Sequence, residues 1–239
     1  MSVIFKEAAI HTKVVMREPS SAFWDYVFPT MLLVLFCSVF GNSPEDYTAM
    51  LSGVICINSM TGGLYGVGLN IVALREQKIL RRYKVTPVPL WKILLGICLS
   101  QVFITTLTTL LLVVVAKFVY KVNLPSNIAG LVLVFAAGTF MFCTVAFVIA
   151  SVARSGHQAT ALTQVIFMPM IFLSGSTLPY EAMPGWIQKI AMALPATYYV
   201  SGLRQVFSGG PEGNLVNLAM MGVFSLLAAA ISVKFFRWE

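Results

Sequence analysis

Few residues in this chain of 239 could carry out acid–base or nucleophilic chemistry. Its two histidines, His11 and His157, belong to no HExxH sequence and accompany no pair of carboxylates. The four cysteines lie in four different apolar runs, where a thiol serves as a small hydrophobic side chain. Their spacing indicates neither a disulfide framework nor a metal site; they are Cys37, Cys56, Cys98 and Cys143. The residue pattern therefore argues against an enzyme.

A glycine-rich stretch, residues 62–68, resembles a phosphate-binding loop only superficially. Such a loop follows a β-strand and ends in Lys-Ser or Lys-Thr, and neither feature accompanies these glycines. Gly62 and Gly66 instead form a GxxxG pair, a spacing that lets a second helix approach closely. We interpret the glycines as packing residues, with the lining of a polar pathway as the alternative.

Among the amides that stand inside apolar runs, we single out Asn58, Asn70 and Gln164. An amide in apolar surroundings must find a protein partner or line a wet cavity. These three residues are therefore our candidates for lining a transport pathway. No Asp, Glu, Lys or Arg lies deep within an apolar run, which disfavours a carrier that moves protons or ions by itself.

The composition identifies an integral membrane protein. Hydrophobic residues make up 58% of the chain and charged residues 10%, with a mean hydropathy of +0.85, far from the values of a soluble domain. The net charge of +7 does not indicate nucleic-acid binding, because nothing resembles a basic groove with stacking aromatic side chains. Lysine and arginine accumulate on the inner side of membrane proteins, which explains the sign of the charge.

The hydropathy pattern predicts an all-α integral membrane fold, with residues 1–239 forming a single transmembrane domain. Residues 1–18 carry Lys6, Lys13 and Arg17 on one side and apolar residues on another, as expected of a helix on the membrane surface. Pro19 is predicted to end it. The six predicted spans are residues 22–40, 48–74, 91–116, 128–152, 158–173 and 215–233.

The stretch between spans five and six predicts a short broken helical excursion. Residues 185–194 show helical spacing of apolar residues, Pro195 stops that helix, and residues 196–207 form a second amphipathic segment. In a membrane, such a segment is tolerated at the interface, or where protein or a water-filled cavity covers its backbone.

The distribution of positive charge gives the orientation. With the N-terminus inside, the inner segments contain 12 of the 16 lysines and arginines, and the outer segments contain the other 4. Six spans with both termini cytoplasmic are consistent with this distribution. The excursion between spans five and six is then on the outer face.

The most basic window, REQKILRRYK at residues 75–84, connects spans two and three. Simple topology explains its charge, because positive residues stay inside. The window also contains Ile79 and Leu80 among its charges, so a short surface helix could present an apolar contact to a soluble partner.

Two motifs show a family resemblance. They are FLSGSTLPYEAMPGWIQKIAMALPATYYVSGLRQVFSG at residues 172–209 and REQKILRRYKVTPVP at residues 75–89. Through them, and across nearly its whole length, the chain resembles the membrane subunit (permease) of bacterial ABC type-2 exporters. The second motif departs from the family pattern because its basic helix lacks the usual Gly-Thr.

The resemblance implies partners that the residue pattern alone does not. Two six-span permeases, either two copies of this chain or this chain and a homologue, would pair in the bilayer, with two cytoplasmic ATPase subunits that bind ATP and Mg. This chain has no Walker A sequence and needs no cofactor of its own. The implied ATPase-coupling contact is Glu76, Lys78, Ile79, Leu80, Arg81 and Arg82. The implied outer gate motif is Pro195, Tyr198, Gly202 and Arg204.

The resulting hypothesis is a non-enzymatic permease subunit of an ATP-driven exporter in the bacterial cytoplasmic membrane. Its expected substrate is amphipathic or lipid-like, such as a drug, an antimicrobial peptide or a lipid-linked compound. The alternative is a stand-alone secondary carrier or channel. An intramembrane enzyme is disfavoured by the absence of paired catalytic residues.

Overall fold

The computed structural model describes residues 3–78, 90–125, 127–177, 180, 183–209 and 214–235. Within these ranges the chain forms helices and no strands, which confirms the all-α prediction. We number the helices α1 to α9 in chain order. Their bounds are α1 Val3–Arg17, α2 residues 19–40, α3 Pro44–Glu76, α4 Leu90–Tyr120, α5 Ile128–Val152, α6 Gly156–Leu173, α7 Gly185–Ala191, α8 Pro195–Phe207 and α9 Asn214–Phe235.

The first helical boundary lies at Pro19. Helix α1 ends at Arg17, and Pro19 is the first residue of α2, where the missing N–H of proline forfeits no helical hydrogen bond. A π-helical turn, Phe23–Val27, interrupts α2 without ending it. The predicted start of the first span at residue 22 therefore falls inside a helix that has already begun.

Helix α3 is the central helix of the bundle. A capping box starts it: the Ser43 side chain accepts a hydrogen bond from the Asp46 N–H, and the Asp46 carboxylate accepts one from the Ser43 N–H. All residues from 51 to 60 are buried, because α4, α5 and α8 cover this part of the helix. The segment Gly62–Leu69 is π-helical, a wider turn often found at functional positions.

The glycines of this π-helical segment are packing residues, as the sequence predicts. A Cβ built on Gly62 would lie 2.3 Å from Oγ1 of Thr105 in α4, and Gly66 meets the same helix. A Cβ on Gly63 would lie 2.6 Å from Cβ of Phe142 in α5. Helices α4 and α5 therefore approach α3 more closely than they could if any other residue stood at these glycine positions.

Helix α4 extends beyond its predicted end at residue 116. It continues to Tyr120, whose hydroxyl donates to the carbonyl of Val34 in α2 at 3.2 Å. The Tyr120 ring also lies 5.2 Å from the ring of Tyr47 in α3. These contacts with two neighbouring helices stabilise a last turn that contains the charged Lys117.

Five of the described helices are long and apolar enough to cross a membrane: Phe23–Phe40, Pro44–Glu76, Trp91–Tyr120, Ile128–Val152 and Leu215–Lys234. They correspond to predicted spans one, two, three, four and six. Helix α6, the predicted fifth span, is not among the five. It has 18 residues and includes His157, Gln158, Gln164 and Pro169. The count of six spans stays a prediction.

The N-terminal helix packs along α4. The His11 ring and the Thr12 hydroxyl both contact the Ser100 hydroxyl, at 3.2 and 2.9 Å. Phe5 and Val14 remain exposed on α1. The helix predicted for residues 1–18 is present from Val3 to Arg17, and its position on a membrane surface stays a prediction.

The excursion between α6 and α9 differs from the prediction in one respect. Helix α7 ends at Ala191, before the turn that leads to Pro195, and most of its surface is exposed. Helix α8 packs against α3, α5 and α9, and most of its residues are buried. Protein covers its backbone, the second of the two arrangements that a membrane tolerates.

Candidate transport pathway and coupling surface

The central helix α3 changes character at Thr61. Before it, residues 51–60 are buried on every side, whereas beyond it one side of the helix is only half-buried. Helix α5 packs against Gly63, and α4 packs against Gly62 and borders this side at Gly66, where a Cβ would lie 2.4 Å from Cδ of Gln101. We call these half-buried residues the open face; they are Thr61, Tyr65, Gly66, Leu69 and Asn70.

Helix α6 borders the open face. The Tyr65 ring packs edge-on against the Phe167 ring with centroids 5.3 Å apart. The Gln164 side chain lies near the Tyr65 hydroxyl, and Gln164 is itself exposed. Aromatic and amide groups from two helices therefore meet on one accessible surface.

The three amides predicted to line a pathway occupy two different environments. Asn70 and Gln164 lie on or beside the open face, and the Asn70 amide also donates to the Gly66 carbonyl at 2.7 Å. Asn58 is buried between α3 and α4. Its amide donates to the Thr105 carbonyl at 3.2 Å and to the Thr109 hydroxyl at 3.1 Å. Asn58 thus finds protein partners, while the other two amides remain accessible.

The four residues of the predicted outer gate motif all belong to α8. Pro195 begins the helix, and both Pro195 and Gly202 are buried. The Tyr198 hydroxyl donates to the Met192 carbonyl at 2.8 Å. The Arg204 guanidinium donates through Nη2 to the Gly175 carbonyl at 2.7 Å. Arg204 therefore ties α8 to the turn that follows α6.

That turn, residues 174–177, docks directly on the central helix. A Cβ built on Gly53 of α3 would lie 2.0 Å from the Ser176 carbonyl oxygen, so only glycine fits there. The hydroxyls of Ser174 and Ser176 bond to each other at 2.7 Å, and both residues are buried. The turn, α8 and α3 therefore form one packed unit at the predicted outer end of the bundle.

Tyr199 is a central residue of this unit that the sequence analysis did not name as a site residue. It is fully buried, with its hydroxyl 3.0 Å from the Ser59 hydroxyl of α3. Its ring lies against Gly138 of α5, where a Cβ would come within 2.3 Å, and 5.8 Å from the Phe142 ring. The apolar spacing of α8 places Tyr199 on the same face as Leu203 and Val206. Its partners are too distant in sequence for any spacing to indicate them.

The predicted coupling contact lies at the other end of α3, the predicted inner end. Glu76 and Lys78 are exposed, and Lys78 has a positive φ of 55°. Its N–H donates to the Arg75 carbonyl at 2.9 Å, which closes the last turn of the helix. The remaining candidates lie outside the described residues; they are Ile79, Leu80, Arg81 and Arg82.

Arg75 joins this end of α3 to the turn between α5 and α6, and the sequence analysis counted it only as an inner charge. Its guanidinium donates through Nη1 to the Ala150 carbonyl at 3.0 Å and through Nη2 to the Ala153 carbonyl. The neighbouring Glu76 carboxylate lies 3.1 Å from a Cβ built on Gly156, the first residue of α6.

Comparison with known proteins identifies this architecture. The sequence profile of the family described as ABC-2 type transporter matches residues 9–208. The chain belongs to this family. The match ends one residue after α8, so the matched region of this ABC-2 permease includes the open face and the predicted outer gate motif. It also includes the contact of Arg75 with the carbonyls of Ala150 and Ala153, which we call the Arg75 clamp.

Individual relatives agree with the assignment. YvfS of Bacillus subtilis, named as a transport permease, is 23% identical over 244 residues, covering 98% of this chain and 98% of its own length. The ycf38 protein of Porphyra purpurea, also named as a transport permease, is 29% identical over 208 residues, covering 81% of this chain and 70% of its own. YbhR of Escherichia coli, named as a multidrug ABC transporter permease, is 22% identical over 167 residues, covering 70% of this chain and 45% of its own.

Within the described ranges, no three His, Cys, Asp or Glu side chains cluster closely enough to hold a metal ion. What the described helices provide is a mixed aromatic and amide surface on α3 and α6, a packed unit around α8, and the contact of Arg75 with the end of α5.

Proposed function

We propose that this permease is the transmembrane subunit of an ATP-driven exporter for an amphipathic or lipid-like substrate, such as a drug, an antimicrobial peptide or a lipid-linked compound. Two permeases, identical or homologous, pair in the bilayer. Two ATPase subunits, each binding ATP and Mg, dock on the cytoplasmic side. Family membership supports the ABC-transporter part of this proposal.

The open face is the observation that carries the choice of substrate. The half-buried Tyr65, backed by the buried Phe167, offers aromatic surface, while Gln164 and Asn70 offer amide donors and acceptors beside it. A surface of this kind suits a molecule that has both apolar and polar parts. With a second permease opposite, two open faces would enclose a pathway between them.

The inner loop is the proposed site of coupling to the ATPase. Glu76 and Lys78 are exposed at its start, and the proposed contact continues through Ile79, Leu80, Arg81 and Arg82. Closure of the ATPases on nucleotide binding would favour one arrangement of the paired bundles, because it pushes on this loop.

The proposed topology has six spans, including α6, in the cytoplasmic membrane of a bacterium, with both termini inside. It follows from the charge distribution of the sequence. Lys78 and Lys189 are both exposed and belong to opposite sides in this arrangement. Of these two lysines, a reagent that cannot cross lipid should modify Lys189 and not Lys78 in intact cells. Modification of both from the same side would overturn the topology.

Coupling can be tested by co-purifying the permease with its proposed ATPase partner. The double variant Leu80→Asp and Arg81→Asp should release the ATPase and abolish export, because it replaces one apolar and one basic side chain of the contact with two negative charges. A matched control, Ile190→Asp and Lys189→Asp, makes the same chemical change on exposed residues of α7. The control should leave the ATPase bound.

Retained transport without the ATPase would favour the alternative, a stand-alone carrier or channel. An ATPase that stays bound to the Leu80 and Arg81 variant would instead place the contact elsewhere on the chain.

A further inference from the structure

The two inner connections of the permease meet at one point. Arg75 ends the helix that leads into the first inner loop, and its guanidinium holds two carbonyls at the C-terminal end of α5, those of Ala150 and Ala153. The Glu76 carboxylate lies beside Gly156 at the start of α6. Adjacent side chains of α3 therefore contact the end of one helix and the beginning of the next.

The charges at this point match the helix ends that they face. A helix C-terminus carries partial negative charge on its free carbonyls, and a helix N-terminus carries partial positive charge on its free N–H groups. Arg75 faces the C-terminus of α5, and Glu76 faces the N-terminus of α6. Both interactions are attractive, and each is specific to one of the two helices.

The turn between α5 and α6 is braced by its own hydrogen bonds. The Ser155 hydroxyl accepts from the Gln158 N–H at 3.2 Å, and the Gln158 side chain accepts from the Arg154 N–H at 2.8 Å. With its backbone held at both sides, the turn moves as a unit. A displacement applied through Arg75 therefore reaches α6, which carries Gln164 and Phe167 beside the open face.

We propose that Arg75 is a positioning residue for energy coupling: it makes the turn at residues 153–155 follow the first inner loop, so that α3 and α6 move together when the ATPase acts. The inference rests on the proposed function, because it assigns the route by which movement of the inner loop reaches the pathway. It adds Arg75, Glu76 and Gly156 as the points through which that movement passes.

The first test follows α6 directly. In the complex with the ATPase, Gln164→Cys is labelled with a maleimide, once without nucleotide and once after trapping with ATP and vanadate. Labelling of the chain without Gln164→Cys measures the background from the native cysteines. Adding Arg75→Gln should reduce the nucleotide-dependent change in labelling by about 2- to 30-fold, the range for residues that carry coupling between sites. Arg75→Lys should restore part of it, because an ammonium can still donate to one carbonyl.

The matched control is Arg154→Gln, which removes the same charge from an exposed side chain of the same turn. It should leave the labelling change intact. Co-purified ATPase and thermal unfolding are measured for each variant. If Arg75 has only a structural role, its replacement should lower the unfolding temperature or release the ATPase. The inference requires that the unfolding temperature and the amount of bound ATPase stay unchanged while the labelling change is reduced.

The second test leaves Arg75 and its two hydrogen bonds in place. Glu76→Cys and Gly156→Cys are joined by a short bis-methanethiosulfonate, which reductant removes. ATP hydrolysis and the labelling change at Gln164→Cys should be the same before and after reductant removes the link, because the loop and the turn already move together. A block that reductant relieves would overturn the inference, as would an unchanged response in Arg75→Gln. Absence of ATPase from the parent complex would instead refute the proposed function.

Discussion

The hydroxyl of Tyr199 lies 3.0 Å from the hydroxyl of Ser59, joining the buried helix α8 to the central helix α3. The two residues are separated by 140 positions in the chain. This bond satisfies both hydroxyls in an interior where an unpaired polar group is costly. It explains how a segment with tyrosines and an arginine can pack inside an apolar bundle.

Replacement of Tyr199 should destabilise the permease more than replacement of its neighbour. Tyr199→Phe should cost about 1 kcal/mol, the net contribution of one hydrogen bond. Tyr199→Ala should cost about 3–5 kcal/mol, because it leaves a cavity against Gly138 and Phe142. Tyr198→Ala, at a half-buried position of the same helix, is the control. Denaturation in detergent measures the free energy of unfolding, and equal losses at the two positions would contradict the packing described.

Two glycines should respond oppositely to the same methyl group. Gly138→Ala should destabilise by about 1–3 kcal/mol through overpacking, since its Cβ would lie 2.3 Å from the Tyr199 ring. Gly222→Ala in α9 meets nothing within 4 Å. It should be neutral or stabilising by about 0.5–1 kcal/mol, because alanine favours helix more than glycine does. The measurement is the unfolding temperature, which should be lower for Gly138→Ala than for Gly222→Ala. A Gly138→Ala variant as stable as the parent would show that α8 lies farther from α5 than described.

Loss of the Arg204 bond should open the turn after α6. Arg204→Gln removes the charged donor to the Gly175 carbonyl, and a hydrogen bond to a charged group contributes about 1.5–3 kcal/mol. Maleimide labelling of Ser176→Cys, at a position 3% exposed in the intact turn, should then be faster by about tenfold or more. Lys189→Gln removes an exposed charge from the neighbouring α7 and should not change the rate. Equal rates in all three backgrounds would mean that Arg204 does not hold the turn.

Two lysines with positive φ offer a way to separate backbone strain from charge. Lys78 and Lys121 both have φ of 55°, a conformation that costs a residue with a side chain about 1–2 kcal/mol. Lys121→Gly should raise the free energy of unfolding by about 1 kcal/mol. Lys78→Gly should also raise the free energy of unfolding. It should weaken ATPase binding as well, if the Lys78 charge contributes to the coupling contact. A gain at neither position would show that hydrogen bonds in these turns already offset the strain.

Local patterns predicted the positions of most helices. Residues 128–152 were predicted as one span and form α5 with the same bounds, Ile128–Val152. The glycines of residues 62–68 were predicted to pack against other helices, and they contact α4 and α5. Both features depend on residues close together in sequence, so composition and spacing were sufficient. The end of α4 was wrong by one turn, because Tyr120 is held by side chains and carbonyls of α2 and α3.

The candidate site was predicted less completely. Spacing placed Tyr199 on the apolar face of its helix, but did not indicate its contacts with Ser59 and Gly138. Charge counting placed Arg75 on the inner side, but not on the carbonyls of α5. Among the three amides, only the packing of α4 against α3 distinguishes buried Asn58 from the accessible Gln164.

The sequence by itself determined that this chain is a helical membrane protein of the ABC-2 type, because hydropathy, helical periodicity and the family motifs are properties of neighbouring residues. Only the tertiary structure decided which face of α3 stays open, that α8 is buried, and that Arg75 clamps the turn before α6. Those features depend on which helices pack together. That choice depends on shape and hydrogen-bond complementarity between segments far apart in the chain, which no local pattern encodes.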